Sequence, residues 1–379
     1  MTTAVINPTS PLDAAQDALG VLIKTQLAPQ VNAIDQEGIY PEAFLRALGA
    51  QGGFAGAASA RHGGNGQGLG DIIAVMTRVG QECLSTAFAL WCQTACARYV
   101  QLSDNLALQA EMLPSLTSGR QLGGTGLSNT FKSCGEIERF LLSAKRVEGG
   151  YEITGNLPWV SNLGADHVFV TGCPVEGDGR LVFFLVRCDQ AGFRLQEGAH
   201  FTALEGTRTY ACQFRGVRID DARVLAHPEQ SQTYLARIQP GMILAQMGMG
   251  LGLVEACIGL VESAARTHAH INRFLDEQPG PLRDALAAAR SETERLAALA
   301  DTLPTGAAHT ELLTAILRLR LAGSELSLRA AQAAMLHQGA RGYLRQATAQ
   351  RRLREAYFVA IVTPSIKHLR HELARRGAN

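Results

Sequence analysis

Gly124-Thr125-Gly126-Leu127-Ser128, followed by Gly155-Asn156-Leu157-Pro158-Trp159-Val160-Ser161-Asn162, is the stretch on which the reading of this chain turns. One of only two tryptophans stands there beside short hydroxyl side chains, in strand-like sequence flanked on both sides by long helical sequence. An indole next to polar groups suits a flat aromatic ligand with a polar edge. Taken on residue type alone the other reading is at least as good, because large aromatics are usually core residues and serines are frequent in turns.

Around that stretch, from about residue 121 to 225, apolar residues come in short alternating runs at 139–144, 151–154, 167–171, 181–186, 211–214 and 217–219. Turns fall at Gly149-Gly150 and Gly177-Asp178-Gly179. Alternation with such punctuation predicts a small antiparallel β-barrel or sandwich.

On either side the periodicity is helical. Leu19, Leu22, Ile23 and Leu27 recur at three and four residues before Pro29 interrupts, and Pro41 fits a first helical turn. The glycine-rich break at 62–68 precedes an apolar helix that opens Asp71-Ile72-Ile73-Ala74-Val75-Met76. After Pro228 the chain reads as helix over 242–267, 282–303, 309–337 and 347–376, and Gln278-Pro279-Gly280-Pro281 is the clearest break. Segments this long and this rich in Ala and Leu predict a bundle of antiparallel rods. The expected fold is therefore α+β in three parts: an N-terminal α-helical domain (1–120), a middle β-barrel domain (121–227) and a C-terminal four-helix bundle (228–379).

Composition narrows the function classes. With 46% hydrophobic residues, 18% charged residues and a formal net charge of +1, the chain carries neither the signature of disorder nor a basic surface for nucleic acid. Its eight cysteines are scattered, with no CxxC pair and no Cys/His spacing of a metal site, so reduced, mostly buried thiols are expected and no metal. Residues 1–11 lack the basic and apolar blocks of a leader, and no uninterrupted apolar run approaches the ~18 residues of a membrane span. A soluble, cytoplasmic protein is expected. Two motifs are decoys. Gly248-Met249-Gly250-Leu251-Gly252 mimics part of a dinucleotide fingerprint without a surrounding βαβ unit, and close helix packing explains it better. His268 and His270 face different sides of a helix, whereas His368 and His371 can share one.

The order helices, β-domain, bundle, together with four motifs, resembles the acyl-CoA dehydrogenase superfamily of FAD enzymes from about Leu19 to Arg375. The first motif is Leu27 to Asp35 with Tyr40-Pro41 and Gly63-Gly64-Asn65-Gly66. The second is the central block, where Leu127-Ser128-Asn129 stands for the family's "VTEP" and Trp159-Val160-Ser161-Asn162 for its "W-[IV]-T-N". Gly206-Thr207-Arg208 with Phe214 to Ile219 resembles the end of the family's middle domain. Lastly, Arg354-Glu355-Ala356 to Thr363-Pro364-Ser365, then Arg370 and Ala374-Arg375, resembles "RDA … EGT … R … AR".

The resemblance implies FAD between the β-domain and the bundle, with Leu127, Ser128, Trp159, Val160, Ser161, Arg273, Gly339 and Ser365 as cofactor-binding residues; Arg341 is a further candidate for the pyrophosphate. An isoalloxazine needs one face packed on apolar surface and hydrogen-bond partners along its polar edge. Dehydrogenation of a thioester also needs a positioned carboxylate base. Thr363 occupies the position of the family's glutamate, and the alternative position near Gly241-Met242-Ile243 holds no acid. Glu325 and Glu355 are the nearest carboxylates in sequence, expected as a polar-face residue and a structural ion pair. His337 and His368 are the candidate acid–base groups.

Two functions follow as expectations. One is a flavin-dependent oxidoreductase for an acyl-CoA or related small substrate, with oxidase or monooxygenase chemistry, active as a homodimer or homotetramer. The other is a non-catalytic or half-site subunit of a heteromeric acyl-CoA dehydrogenase, motivated by erosion at Thr363, around Arg273 and at the Gly339 loop. A third Gly-rich echo, Gln338-Gly339-Ala340-Arg341-Gly342-Tyr343, stands where the family has "GG-x-G-[FY]".

Overall fold

A computed structural model describes residues 11–197 and 200–378. The leader-free reading of residues 1–11 lies almost wholly outside them. Six helices come first: α1 (Pro11–Leu22), α2 (Val31–Gln36), α3 (Glu42–Ala50), α4 (Gly68–Glu82), α5 (Leu84–Gln101) and α6 (Leu106–Thr117). Pro29 ends the first apolar run as expected, in a π turn over Ile23–Leu27 and a 3-10 turn over Ala28–Gln30. Pro41 sits one residue before α3, at its N-cap, rather than inside its first turn. Helix α5 is buried on nearly every side from Leu84 to Val100, the condition of a helix enclosed by others.

The central strands form two four-stranded sheets. One is ordered β1 (Gly123–Thr125), β4 (Val168–Pro174), β5 (Leu181–Arg187), β8 (Val224–Ala226); the other is β2 (Leu142–Val147), β3 (Gly150–Val160), β7 (Tyr210–Asp220), β6 (Phe193–Glu197). A short helix, α7 (Ser128–Cys134), leads off β1. Between the sheets pack Leu142, Tyr151, Ile153, Phe169, Val182, Phe184, Phe193 and Phe214.

Of the expected antiparallel barrel or sandwich the structure is the sandwich, differing from the expectation in two respects. Strand β1 pairs with β4 in parallel, and the sheets remain an open sandwich. The reason lies at the edges, whose backbone groups must find partners somewhere. Gln93 of α5 accepts from Gly123 N at 2.7 Å on the β1 edge. Ser103 donates to Leu225 O at 2.6 Å and Asn105 to Val224 O at 2.9 Å on the β8 edge. Side chains of the helical region take the bonds that barrel closure would have used. A further difference is local: the run at 139–144 enters its strand only at Leu142.

The remaining chain forms α8 (Ser231–Ala245), α9 (Met247–Asn272), α10 (Pro279–Asp301), α11 (Gly306–Gln338), α12 (Thr348–Ile361) and α13 (Ile366–Arg375). The break at 278–281 starts α10 at Pro279, and residues 347–376 are two helices, because Pro364 cannot donate to a continuing ladder. The glycines of α9 serve packing. A Cβ at Gly252 would lie 2.4 Å from Thr77 O and one at Gly248 2.8 Å from Met76 Cβ, so α9 lies backbone to backbone on α4. The stretch Pro228–Asn272 is long and apolar enough to cross a membrane by composition, yet Gln246 and Glu255 interrupt it and 78% of its apolar window is buried inside the protein.

One buried ionic knot fixes α12. Glu355 pairs with Arg351 at 3.0 Å and Arg352 at 2.8 Å, and the two guanidiniums donate to the carbonyls of Gly80, Gln81 and Glu82 at the end of α4. Burial acts to raise the Glu355 carboxyl, but Arg352 and Arg351 outweigh it and hold it below the ordinary range. Breaking such a knot by removing one charge typically costs about 3–5 kcal/mol.

Candidate functional site

The two sequence stretches quoted at the outset meet. At Gly124 any Cβ would lie 2.4 Å from Ser161 O, so only glycine lets β1 run against the end of β3. Asn162, with φ at +64°, is the pin: its amide donates to Gly123 O at 2.7 Å, its Oδ1 accepts from Tyr40 at 2.7 Å, and its N–H donates to Thr207 O at 2.8 Å. Arg208 stacks 4.3 Å over the Tyr40 ring and pairs with Glu42 at 2.9 Å. Burial pushes the Tyr40 hydroxyl well above its ordinary pKa, so it stays a donor. Gly206 makes room beside Ile34. The Gly206-Thr207-Arg208 motif thus joins the N-terminal helices to the sandwich.

Trp159 is 58% exposed. It is no core residue: more than half of it is exposed, and Phe201 meets its ring edge-on with 6.1 Å between centroids. Val160 is buried in the sandwich and paired with Tyr210.

Ser161 begins a file of hydroxyls. Its Oγ lies 2.6 Å from Thr209 Oγ1, which lies 2.9 Å from Thr207 Oγ1, which donates to Leu204 O at 2.7 Å.

Ser128 opens α7, placed by the anchoring of its neighbours. Thr130 donates to Gly172 O at 2.6 Å, and Asn129 bonds Glu138, Arg139 O and Leu141 N, so the motif's asparagine is occupied structurally. Leu127 is buried beside it. The Ser128 hydroxyl lies 2.8 Å from that of Thr363, on the link between α12 and α13. The sandwich and the C-terminal helices therefore touch where the sequence placed the missing base.

Behind Thr363 stand two residues that sequence reading passed over. Gln246, at the α8–α9 junction, donates to Thr363 O at 2.8 Å and accepts from Arg320 Nε at 3.1 Å. Arg320 also donates to Val359 O at 2.7 Å and to Ser324 Oγ. Arg320 is almost fully buried and has no carboxylate within ion-pair distance among the described residues, so burial lowers its pKa to about 10. The available signal was Gln246 alone in the apolar run Leu244-Ala245-Gln246-Met247, whereas Arg320 alternates with Arg318 between leucines and does not stand out.

The other candidates lie elsewhere. His337 is buried, its Nε2 2.8 Å from Glu277 O and its carbonyl accepting from Asn272, which ties it to the α9–α10 turn. His368 sits in the first turn of α13, its Nδ1 3.4 Å from Ser365 N, and burial with Lys367 nearby lowers its pKa. Ser365 is buried at the N-cap of α13, where its side chain and that of His368 form a capping box. Arg273 lies 4.9 Å over the ring of Phe274, and Gly339, at φ +58°, follows α11 in open space. Arg341 is exposed on that turn. Neither carboxylate is free, since Glu325 pairs with Arg370 at 2.8 Å and Glu355 sits in its knot. As expected, His268 turns to its own neighbour, Thr267.

Chemically, the two edges offer a lone-pair-bearing serine beside an exposed indole, and a hydroxyl pair with two protons between them. No group in either edge is a base of carboxylate strength.

Comparison with known proteins agrees with this architecture. Residues 11–120 match the acyl-CoA dehydrogenase N-terminal domain family. Over 247 residues the chain is 23% identical to benzylmalonyl-CoA dehydrogenase of Aromatoleum aromaticum, covering 65% of each chain, so the match spans just under two thirds of that relative's length. In overall fold it is similar to butyryl-CoA dehydrogenase of Megasphaera elsdenii (TM-score 0.84, 17% identity, 99% of both chains). It is also similar to dibenzothiophene monooxygenase of Paenibacillus (0.80, 18%, 94% of this chain and 95% of that one). A third solved structure, KijD3 in complex with FMN and a dTDP-amino-keto sugar, gives 0.80 at 18% identity over 98% and 95%. Residues 11–120 thus match the acyl-CoA dehydrogenase N-terminal domain, and the chain shares along nearly its whole length the fold of the acyl-CoA dehydrogenases.

Proposed function

We propose that the chain is a flavin-dependent oxidoreductase, binding FAD, that acts on an acyl-CoA or related small substrate by oxidase or monooxygenase chemistry rather than by thioester dehydrogenation. The observations that carry this reading are the exposed indole of Trp159, two residues from Ser161, and a Ser128–Thr363 contact where a carboxylate would be needed for α-proton abstraction. The residues fit a flavin: an exposed aromatic platform at Trp159 and hydroxyl groups for the ring edge at Ser161 and Ser128. When bound, the flavin supplies the electron acceptor and, with oxygen, the oxidising group.

The protein's own part is to bind and orient. Trp159 packs one ring face, Ser161 and Ser128 with the N–H groups of Leu127 and Val160 meet the edge, and Gln246 holds the Thr363 segment in register. A threonine hydroxyl cannot remove a weakly acidic proton near neutral pH. The similarity to a monooxygenase and to a sugar-nucleotide complex supports a substrate range wider than acyl thioesters for this fold.

Self-association is part of the proposal. Ile271, Phe274, Leu336, Tyr343 and Leu344 leave an exposed apolar band around the ends of α9 and α11, next to Arg273 and Gly339. In this reading a second copy covers the band, giving a homodimer or homotetramer. A heteromeric partner is the alternative, and co-purification of a second chain would favour it.

Protein purified without added flavin should absorb near ~450 nm, as flavoproteins do. That colour should persist when acyl-CoA is added anaerobically, and return of bleaching in Thr363→Glu would show that only the base is missing. Colourless protein that ignores added FAD would overturn the proposal; prompt bleaching of the wild type would overturn its chemistry.

A further inference from the structure

His167 closes the turn that follows Asn162 and is only 1% exposed. Its Nδ1 lies 2.9 Å from Asn162 O, and a carbonyl only accepts, so Nδ1 carries the proton and Nε2 of the neutral ring is a bare acceptor. Nε2 is buried with no hydrogen-bond partner among the described residues. Gly164 lies so close that a Cβ there would come within 3.1 Å of it. The nearest polar atom that faces it is another acceptor, Asp166 Oδ1 at 3.7 Å. Two effects therefore oppose each other on one ring: burial disfavours the imidazolium and Asp166 favours it.

We infer that His167 is a proton switch on the Asn162 pin: the neutral ring holds the pin that joins the N-terminal helices to the end of β3, and protonation in mild acid releases it. The switch belongs to the fold and does not need bound flavin. The charged groups around the ring are Asp166 on its own turn, Glu42 on α3 and Arg208 before β7; Arg46 of α3 stands one contact away, donating to Asp166 Oδ2 at 3.2 Å and pairing with Glu42 at 2.9 Å. Tyr40 and Cys188 are neighbours without charge, since burial pushes both above their ordinary values. Burial is the largest effect and, with Arg208, holds His167 below the ordinary histidine range against the Asn162 O bond, Asp166 and Glu42. Asp166 is largely exposed and shared with Arg46, so it compensates only in part. A folded pKa lowered in this way means that the closed turn has its full stability above about 6.5 and loses it as pH falls through the folded value.

Imidazole nitrogen NMR and amide hydrogen exchange on the full chain test the switch. The wild-type signal that vanishes in His167→Gln should show its proton on Nδ1 and titrate below about 6.5. Protection of the Asn162 and Leu163 amides, which donate to Thr207 O and Arg208 O, should fall by up to tenfold per pH unit below about 6.5 and level off past the folded pKa, after correction for the intrinsic effect of pH. His167→Gln, whose amide can still donate to Asn162 O, should lack that loss. Asp166→Asn, which sets a donor opposite Nε2, should move both the titration and the loss to lower pH. Should His167→Gln fail to fold, the tautomer and the Asp166→Asn shift decide the matter. A proton on Nε2, a titration at or above the ordinary value, or protection that falls alike in wild type and His167→Gln would overturn the inference.

Discussion

The two edges of the candidate site are built from the same functional group and held in opposite ways. At Ser161 the hydroxyl is the end of a directed file that runs entirely within the sandwich and terminates on Leu204 O. At Ser128 the hydroxyl meets Thr363 across the junction between sandwich and helices, and nothing fixes which of the two donates. The first edge is set by local strand geometry. The second exists only while the α12–α13 link is held in place, by Gln246 and Arg320 from behind and by the Glu355 knot from the side. One edge presents a fixed lone pair; the other keeps a spare proton and depends on distant packing.

The strongest way to break that contrast is Glu355→Gln. It leaves two buried guanidiniums without their anion and should cost about 3–5 kcal/mol in urea unfolding. Its pH signature has a defined sign. The folded pKa is depressed, so the stabilisation is fully present above the unfolded value of ~4.3 and is lost as pH falls through the folded value. The variant should lack that acid-range loss; an unchanged acid profile would show the knot to be unimportant. Cys83 and Cys257, buried near it with thiol pKa values pushed up by burial, should stay unreactive to alkylating reagents in the wild type and become accessible in the variant.

Gln246→Ala should cost less, about 1–3 kcal/mol, because Thr363 O and Arg320 Nε each lose a buried partner. It should also separate the edges, loosening amide exchange over 362–366 while leaving the strand segment around Ser161 protected. Parallel loss at both would merge them into one unit. Thr209→Val, which removes the bonds to Ser161 and Thr207, should cost about 2 kcal/mol, and Thr363→Val, which removes one bond to Ser128, about 1 kcal/mol.

Much of the layout was readable in the sequence because it rests on local periodicity. Period-two runs and glycine turns gave the strands, and Pro279 gave the start of α10. What escaped was decided between elements. The barrel stays open because Gln93, Ser103 and Asn105 satisfy its edges from the helical region, and no pattern in the strands announces that. In the site, Ser128 and Thr363 were singled out separately through motifs 235 positions apart, but their contact is tertiary. Asn129 looked like part of the flavin motif and proves to be a loop anchor, since its three hydrogen bonds all go to 138–141. His337 likewise looked chemical and is a bolt between helix ends. Thr209 and Arg320 were invisible because each stands near another polar residue, Thr209 beside Arg208 and Arg320 two after Arg318, and Gln246 showed only as one amide in an apolar run.

Trp159 gives the gentlest perturbation and the most direct test. An exposed side chain at 58% accessibility contributes little to folding, so Trp159→Ala should shift stability by no more than about 0.5 kcal/mol. Its effect on FAD affinity, measured by titrating stripped protein, should be large by contrast. Loss of a stacked aromatic platform predicts at least about tenfold weaker binding in a protein that unfolds like the wild type. The same dissociation constant for FAD in both proteins would contradict the account at its centre.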